Sequence, residues 1–100
     1  MTATSPSADL ALGPELTIPF AADCRTTLVQ AVAATAGDLR LDLSGVTDVD
    51  SAGLQLLLCT RRSLVERGDS LQIVACSDAL GEALGVFGLG NLLVTADEAP

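Results

Sequence analysis

Two patterns of different period stand back to back in the middle of this chain, and together they restrict its fold more than any other feature. Leu39, Leu41 and Leu43 alternate with Arg40 and Asp42, the period of a half-covered strand. Ser44 to Asp50 reads as a loop, with Gly45 as its turn residue. From Ser51 to Arg67 the period changes to that of a helix, with Leu54, Leu57, Leu58, Leu64 and Val65 on one face. Asp50 or Ser51 can cap its start, Arg61, Arg62 and Arg67 lie towards its C-terminal end, and Gly68 closes it. Leu71 to Ala75 is then a short continuous apolar run, typical of a strand covered on both faces. A strand, a helix and a strand at this spacing call for a crossover and a parallel pairing.

The flanks continue the alternation. Leu10-Ala11-Leu12 and Leu16-Thr17-Ile18 surround Gly13-Pro14 and are expected to form one bulged strand or a small hairpin. A helix is expected over 21–36, with Cys24, Leu28, Val32 and Ala36 four apart and Val29 and Ala33 widening the stripe. Its N-cap is poor, because Phe20 stands where a Ser or Thr would accept an amide hydrogen bond. Ser77 caps a third helix running to about Phe87, with Leu80, Leu84 and Phe87 facing inward. Gly81 and Gly85 weaken it by roughly 1 kcal/mol each relative to Ala. Leu92 to Val94 reads as a last strand. The expected fold is therefore α/β: one domain over 9–95, with a small sheet of four or five strands and three or four helices, parallel or mixed. Residues 1–8 and 96–100 read as tails.

Composition narrows the function. Thirteen Asp and Glu stand against five cations, all Arg, for a formal charge of −8. Such a surface repels nucleic acid and anionic membranes, and favours a protein partner that is basic or apolar at the contact. There is no Trp or Tyr to stack on bases or sugars. The absence of His removes the usual general base and the commonest metal ligand. Cys24, Cys59 and Cys76 are odd in number and far apart, so they predict neither a zinc site nor a disulfide framework. Each lies in an apolar stretch and reads as a small buried hydrophobe in a reducing compartment. No secretory or membrane-spanning segment is expected, which points to a cytoplasmic location.

The stretch Leu41-Asp42-Leu43-Ser44-Gly45-Val46-Thr47-Asp48-Val49-Asp50-Ser51-Ala52-Gly53-Leu54 resembles the signature of STAS domains, the fold of bacterial anti-sigma factor antagonists. That family runs an apolar strand into a loop and then into Asp-Ser/Thr-x-Gly-Leu at a helix start. The likeness extends through Arg67-Gly68, the strand at Leu71, Ser77 and Phe87-Gly88-Leu89, about residues 10 to 94. Where family antagonists carry Gly-Glu-Leu-Asp before the first helix, this chain has Pro14-Glu15-Leu16-Thr17. That form is more like STAS proteins of chemotaxis gene clusters or of phospholipid-trafficking ABC transporters. The family also usually has one more N-terminal strand. Its loss would leave a sheet edge open for pairing, including with a second copy of the chain.

The resemblance implies a partner-binding face at Asp48, Asp50, Ser51, Ala52, Gly53 and Leu54, with Ser51 as the phosphoacceptor. Helix amides at Ser51 would accept a phosphate, although its charge would strengthen local repulsion with the neighbouring Asp48 and Asp50 and with Asp42, expected close by; the helix start would tolerate the phosphate and a docked partner would not. The simpler reading makes Ser51 only an N-cap. Asp50 reads either as a group orienting a kinase or as helix-start electrostatics, and Gly53 as a place of close approach, more readily to a neighbouring strand than to a partner. Three functions follow. One is a partner-switching module bound and phosphorylated by a kinase or anti-sigma-like ATPase. The ATP site then belongs to that partner, because no Gly-x-x-x-x-Gly-Lys loop and no cofactor site is present in the sequence. Another is a subunit docked constitutively on a transporter ATPase. A small Mg²⁺ enzyme built on Asp42, Asp48 and Asp50 is disfavoured, since no Lys is available to stabilise charge.

Overall fold

The computed structural model of the protein describes residues 8–89. Five strands and three helices follow in the order β1 (Leu10–Ala11), β2 (Glu15–Leu16), α1 (Ala21–Ala34), β3 (Leu39–Leu43), β4 (Asp48–Val49), α2 (Ser51–Glu66), β5 (Leu71–Cys76) and α3 (Asp78–Val86). The fold is α/β, as the alternating periods require. Every pairing is parallel. The strands divide into a three-stranded sheet of order β1-β3-β5 and a separate pair, β2 with β4. The expected strand at 92–94 and the two tails lie outside the described residues, apart from Ala8.

β3 is the centre of the molecule. Leu39, Leu41, Asp42 and Leu43 are all buried, and only Arg40 reaches solvent, where it pairs with Asp9. The strand is covered on both faces by a core of leucines joined by Val46 and Ile73. Burying each such side chain stabilises the fold by about 1.5–3 kcal/mol. Between Leu41 and Asp42 the register against β5 shifts by one residue, from Leu41 opposite Ile73 to Asp42 opposite Ala75. A bulge of this kind bends the strand and re-aims its end, here towards the loop that precedes α2.

The N-terminal segment forms neither a single bulged strand nor a hairpin. Its halves join different sheets: Leu10 and Ala11 lie beside Leu41 and Asp42, whereas Glu15 and Leu16 lie beside Asp48 and Val49. The loop expected over 44–50 thereby contains a strand. A two-residue strand carries no readable period, so only its partner reveals it.

Helix faces differ from expectation in three places. In α2 the buried residues are Gly53, Leu54, Leu57, Thr60 and Leu64, a face centred near Leu57 and Leu64. Val65 lies about 90° round the helix from that centre and is exposed. In α1 only Leu28 is fully buried. Cys24, Ala31 and Val32 are half-buried, while Val29 and Ala33 face outward, and the helix ends at Ala34, two residues short of the expected end, leaving exposed Ala36 outside it. Phe87 does not enter the core, being 54% exposed. α3 ends at Val86, and Leu89 turns back instead, donating its N–H to the Leu84 carbonyl and packing against the core. Ser77 does cap α3, its hydroxyl accepting from Leu80 N–H at 3.1 Å.

The cysteines are less buried than their apolar neighbours suggest. Cys59 is exposed, and Cys24 and Cys76 are half-buried. Burial, reinforced by Asp23, raises the Cys24 thiol pKa, and burial reinforced by Asp78 does the same for Cys76. Among the described residues, no helix is long and apolar enough to cross a membrane.

Candidate functional site

The start of α2 is built by three segments far apart in sequence. Pro14 offers its carbonyl to the N–H groups of Thr47 and Asp48, at 2.7 and 3.3 Å, and Leu16 offers its carbonyl to Asp50 N–H at 3.0 Å. These bonds extend the β2–β4 pairing and fix the chain where it turns into the helix. A short 3-10 turn, Ile18–Phe20, then leads into α1 with Pro19 inside it.

Asp50, and not Ser51, is the N-cap. One of its carboxylate oxygens accepts from Ala52 N–H at 3.0 Å and Gly53 N–H at 3.2 Å, while the other accepts from Ile18 N–H at 2.9 Å. A single carboxylate therefore ties the helix start to the 3-10 turn. The Ile18 amide is the main reason its pKa lies below the ordinary aspartate value. Partial desolvation opposes that shift, and the Gly53 and Ala52 amides add to it.

A carboxyl with a lowered native pKa stabilises the fold above its unfolded pKa, near 4, and loses that contribution as pH falls through the native value. Wild-type protein is thus expected to lose this contribution as pH falls below the ordinary aspartate value, near 4. Asp50→Asn should be less stable at pH 7 and show a shallower acid dependence. Urea midpoints measured as pH falls through that value check this, and parallel pH profiles for the two proteins would contradict it.

Ser51 is the first residue of α2 and is exposed. Because Asp50 does the capping, the Ser51 hydroxyl is not needed for the helix. The amides expected to cradle a phosphate are already engaged: Ala52 and Gly53 by the Asp50 carboxylate, and Leu54 by the Asp50 carbonyl at 3.1 Å. A phosphate on Ser51 would displace Asp50 or project into solvent.

The other predicted residues separate. Asp48 is exposed, and Ala52 is half-buried. Gly53 and Leu54 are buried and turn away from any visitor. A β-carbon on Gly53 would stand 2.1 Å from the Leu16 carbonyl oxygen, so the close approach there is to β2. Asp42 does not join an exposed acidic ring. It is 5% exposed, and its carboxylate accepts from Ser44 N–H at 2.9 Å and the Ser44 hydroxyl at 2.6 Å. Among the described residues, no group of three or more His, Cys, Asp or Glu is placed to hold a metal ion.

Two features of the site were not read from the sequence. Ile18 is 70% exposed immediately beside the cap, and Phe20 is 43% exposed at the other end of the same turn. Glu15 stands opposite Asp48 in the β2–β4 ladder, a like-charge pair at the rim of the site. The available signal was Pro19, which ends the Leu16-Thr17-Ile18 strand pattern and leaves Ile18 and Phe20 on either side of a turn.

Strand, capped turn and glycine-tight helix together give the STAS arrangement, and the family model described as "Mlab, STAS domain" matches residues 1–95. The chain belongs to the STAS domain family. Comparison with curated proteins and with solved structures returns no match. STAS domains are generally regulatory and not enzymatic.

Proposed function

We propose that this STAS domain is a partner-switching regulator whose docking face is the start of α2 and whose switch is phosphorylation of Ser51. What supports this most directly is the division of labour at the helix start: Asp50 holds the cap, and Ser51 keeps an exposed hydroxyl with no structural duty. A kinase or anti-sigma-like ATPase supplies the ATP and transfers its γ-phosphoryl group to the Ser51 oxygen; the hydroxyl proton leaves and ADP is released. The added phosphate, with a charge of about −1.5 to −2, would have to be desolvated where a partner packs against exposed Ile18 and the bare Ser51 hydroxyl, and that cost together with its bulk releases the partner.

Mass spectrometry of protein isolated from its native cell should find phosphate on Ser51. Ser51→Asp should weaken capture of the partner ATPase at least roughly tenfold, the effect of about 1.4 kcal/mol, while Ser51→Ala should retain it. No phosphate, together with undiminished capture by Ser51→Asp, would sink the switch.

That last outcome would favour a second reading, in which the domain is a constitutive subunit on the ATPase of a phospholipid-trafficking ABC transporter. Two observations speak for it: the matching family model carries the description Mlab, and Pro14-Glu15-Leu16-Thr17 departs from the antagonist pattern. Its mark would be co-purification with such an ATPase regardless of the residue at position 51.

A further inference from the structure

A groove of about 350 Å³ runs beside the docking face, between the segment 11–15 and the first turns of α1. Leu12, Pro14, Phe20 and Cys24 supply apolar wall, and Glu15 and Asp23 supply two carboxylates. Among the described residues neither carboxylate has an ion-pair partner. Four of the five arginines are engaged or placed elsewhere. Arg40 pairs with Asp9, Arg62 with Glu66 and Arg67 with Asp69, while Arg25 lines a different groove, between α1 and α2.

We propose that this groove receives an arginine or lysine of a partner protein, flanked by apolar residues, and so forms the second half of the docking surface. An aliphatic stem matches the wall made by Leu12, Pro14 and Phe20, and the cationic head matches Glu15 and Asp23. The groove is also continuous with the α2 start. Glu15 lies opposite Asp48, and exposed Ile18, whose N–H is held by Asp50, stands in the segment that joins the two. The chain's charge of −8 points the same way, since it selects a cationic partner segment and repels an anionic lipid surface.

The proposal rests on the domain being a docking module, but it does not depend on Ser51. The probe is the tripeptide acetyl-Leu-Arg-Leu-amide, titrated to millimolar concentration and followed by amide NMR shifts, with acetyl-Leu-Gln-Leu-amide as the neutral counterpart. The arginine peptide should shift Leu12, Glu15, Phe20, Asp23 and Cys24. The neutral peptide should shift none of them. The double variant Glu15→Gln, Asp23→Asn should bind roughly tenfold more weakly while keeping the dispersed spectrum of a folded protein. Ser51→Asp should bind the probe within about twofold of wild type, so loss of the phosphorylation switch and loss of the groove are read separately. Absence of shifts, equal binding of the neutral peptide, equal binding by the double variant, or shifts spread equally to Asp78 and Glu82 on α3 would each overturn it.

Discussion

Gly53→Ala is expected to destabilise this domain by about 2–3 kcal/mol, although alanine is the better helix former by about 1 kcal/mol. The new methyl group would lie 2.1 Å from the Leu16 carbonyl oxygen, 2.6 Å from the Leu16 β-carbon and 2.8 Å from its carbonyl carbon. Two of these atoms are backbone and cannot rotate aside. Leu16 is fully buried, its strand pairs with β4, and its carbonyl accepts the Asp50 N–H. Relief of the clash must therefore push β2 away from α2 and loosen the segment that carries Asp50 and Ser51. Thermal denaturation should show a midpoint lower by roughly 10 °C or more for a domain of this size. Gly81→Ala is the internal control. A methyl group there meets open space within α3, so the same substitution should be neutral or mildly stabilising. Equal midpoints for Gly53→Ala and wild type would refute the packing argument.

Arg67→Ala is expected to cost about 2–3 kcal/mol. The guanidinium donates to the carbonyls of Val32, Thr35 and Gly37 at 2.8, 2.8 and 2.9 Å, and its Nε donates to Asp69 at 2.7 Å. α1 has no basic residue in its own last turn, so the cation that meets its C-terminal end comes from the far end of α2. One planar fork satisfies three carbonyls and a carboxylate at once. Because the side chain is about one-third exposed, solvent screens part of the charge effect, and the loss falls mainly on the hydrogen bonds. Arg67→Lys should recover less than half of the loss, since an ammonium cannot reproduce the fork. Urea denaturation measures both, and faster hydrogen exchange at Thr35 N–H, which bonds the Ala31 carbonyl, would place the damage at the end of α1.

Arg67 also illustrates how far local reading reaches. Its position in sequence associates it with the dipole of its own helix, yet its hydrogen bonds serve α1, 30 to 35 residues earlier. Phe87 and Val65 misled for the same reason. A helical stripe can be read from spacing, but its centre depends on what packs against it: Leu64 is buried while Val65 beside it is exposed, and Leu89, not Phe87, packs against the core. The start of α2 was legible as a capped helix because Asp50-Ser51 offers two suitable caps. Which of them caps was settled by the backbone, which aims the Asp50 carboxylate at both Ala52 and Ile18.

The order of local periods was enough to determine an α/β domain, the places of β3, α2 and β5, and the position of Ser51 between strand and helix, because those elements are long and their patterns need no partner to be read. Only the tertiary structure decided that 10–16 divides between two pairings, that 48–49 is a strand, and that Gly53 presses on Leu16. The same holds for the exposed Ile18 beside the cap and the acidic groove next to it. Two-residue strands and turns have too few residues to carry a period. Their conformation comes from hydrogen bonds and contacts with segments 30 or more residues away, and these exist only once the chain has folded.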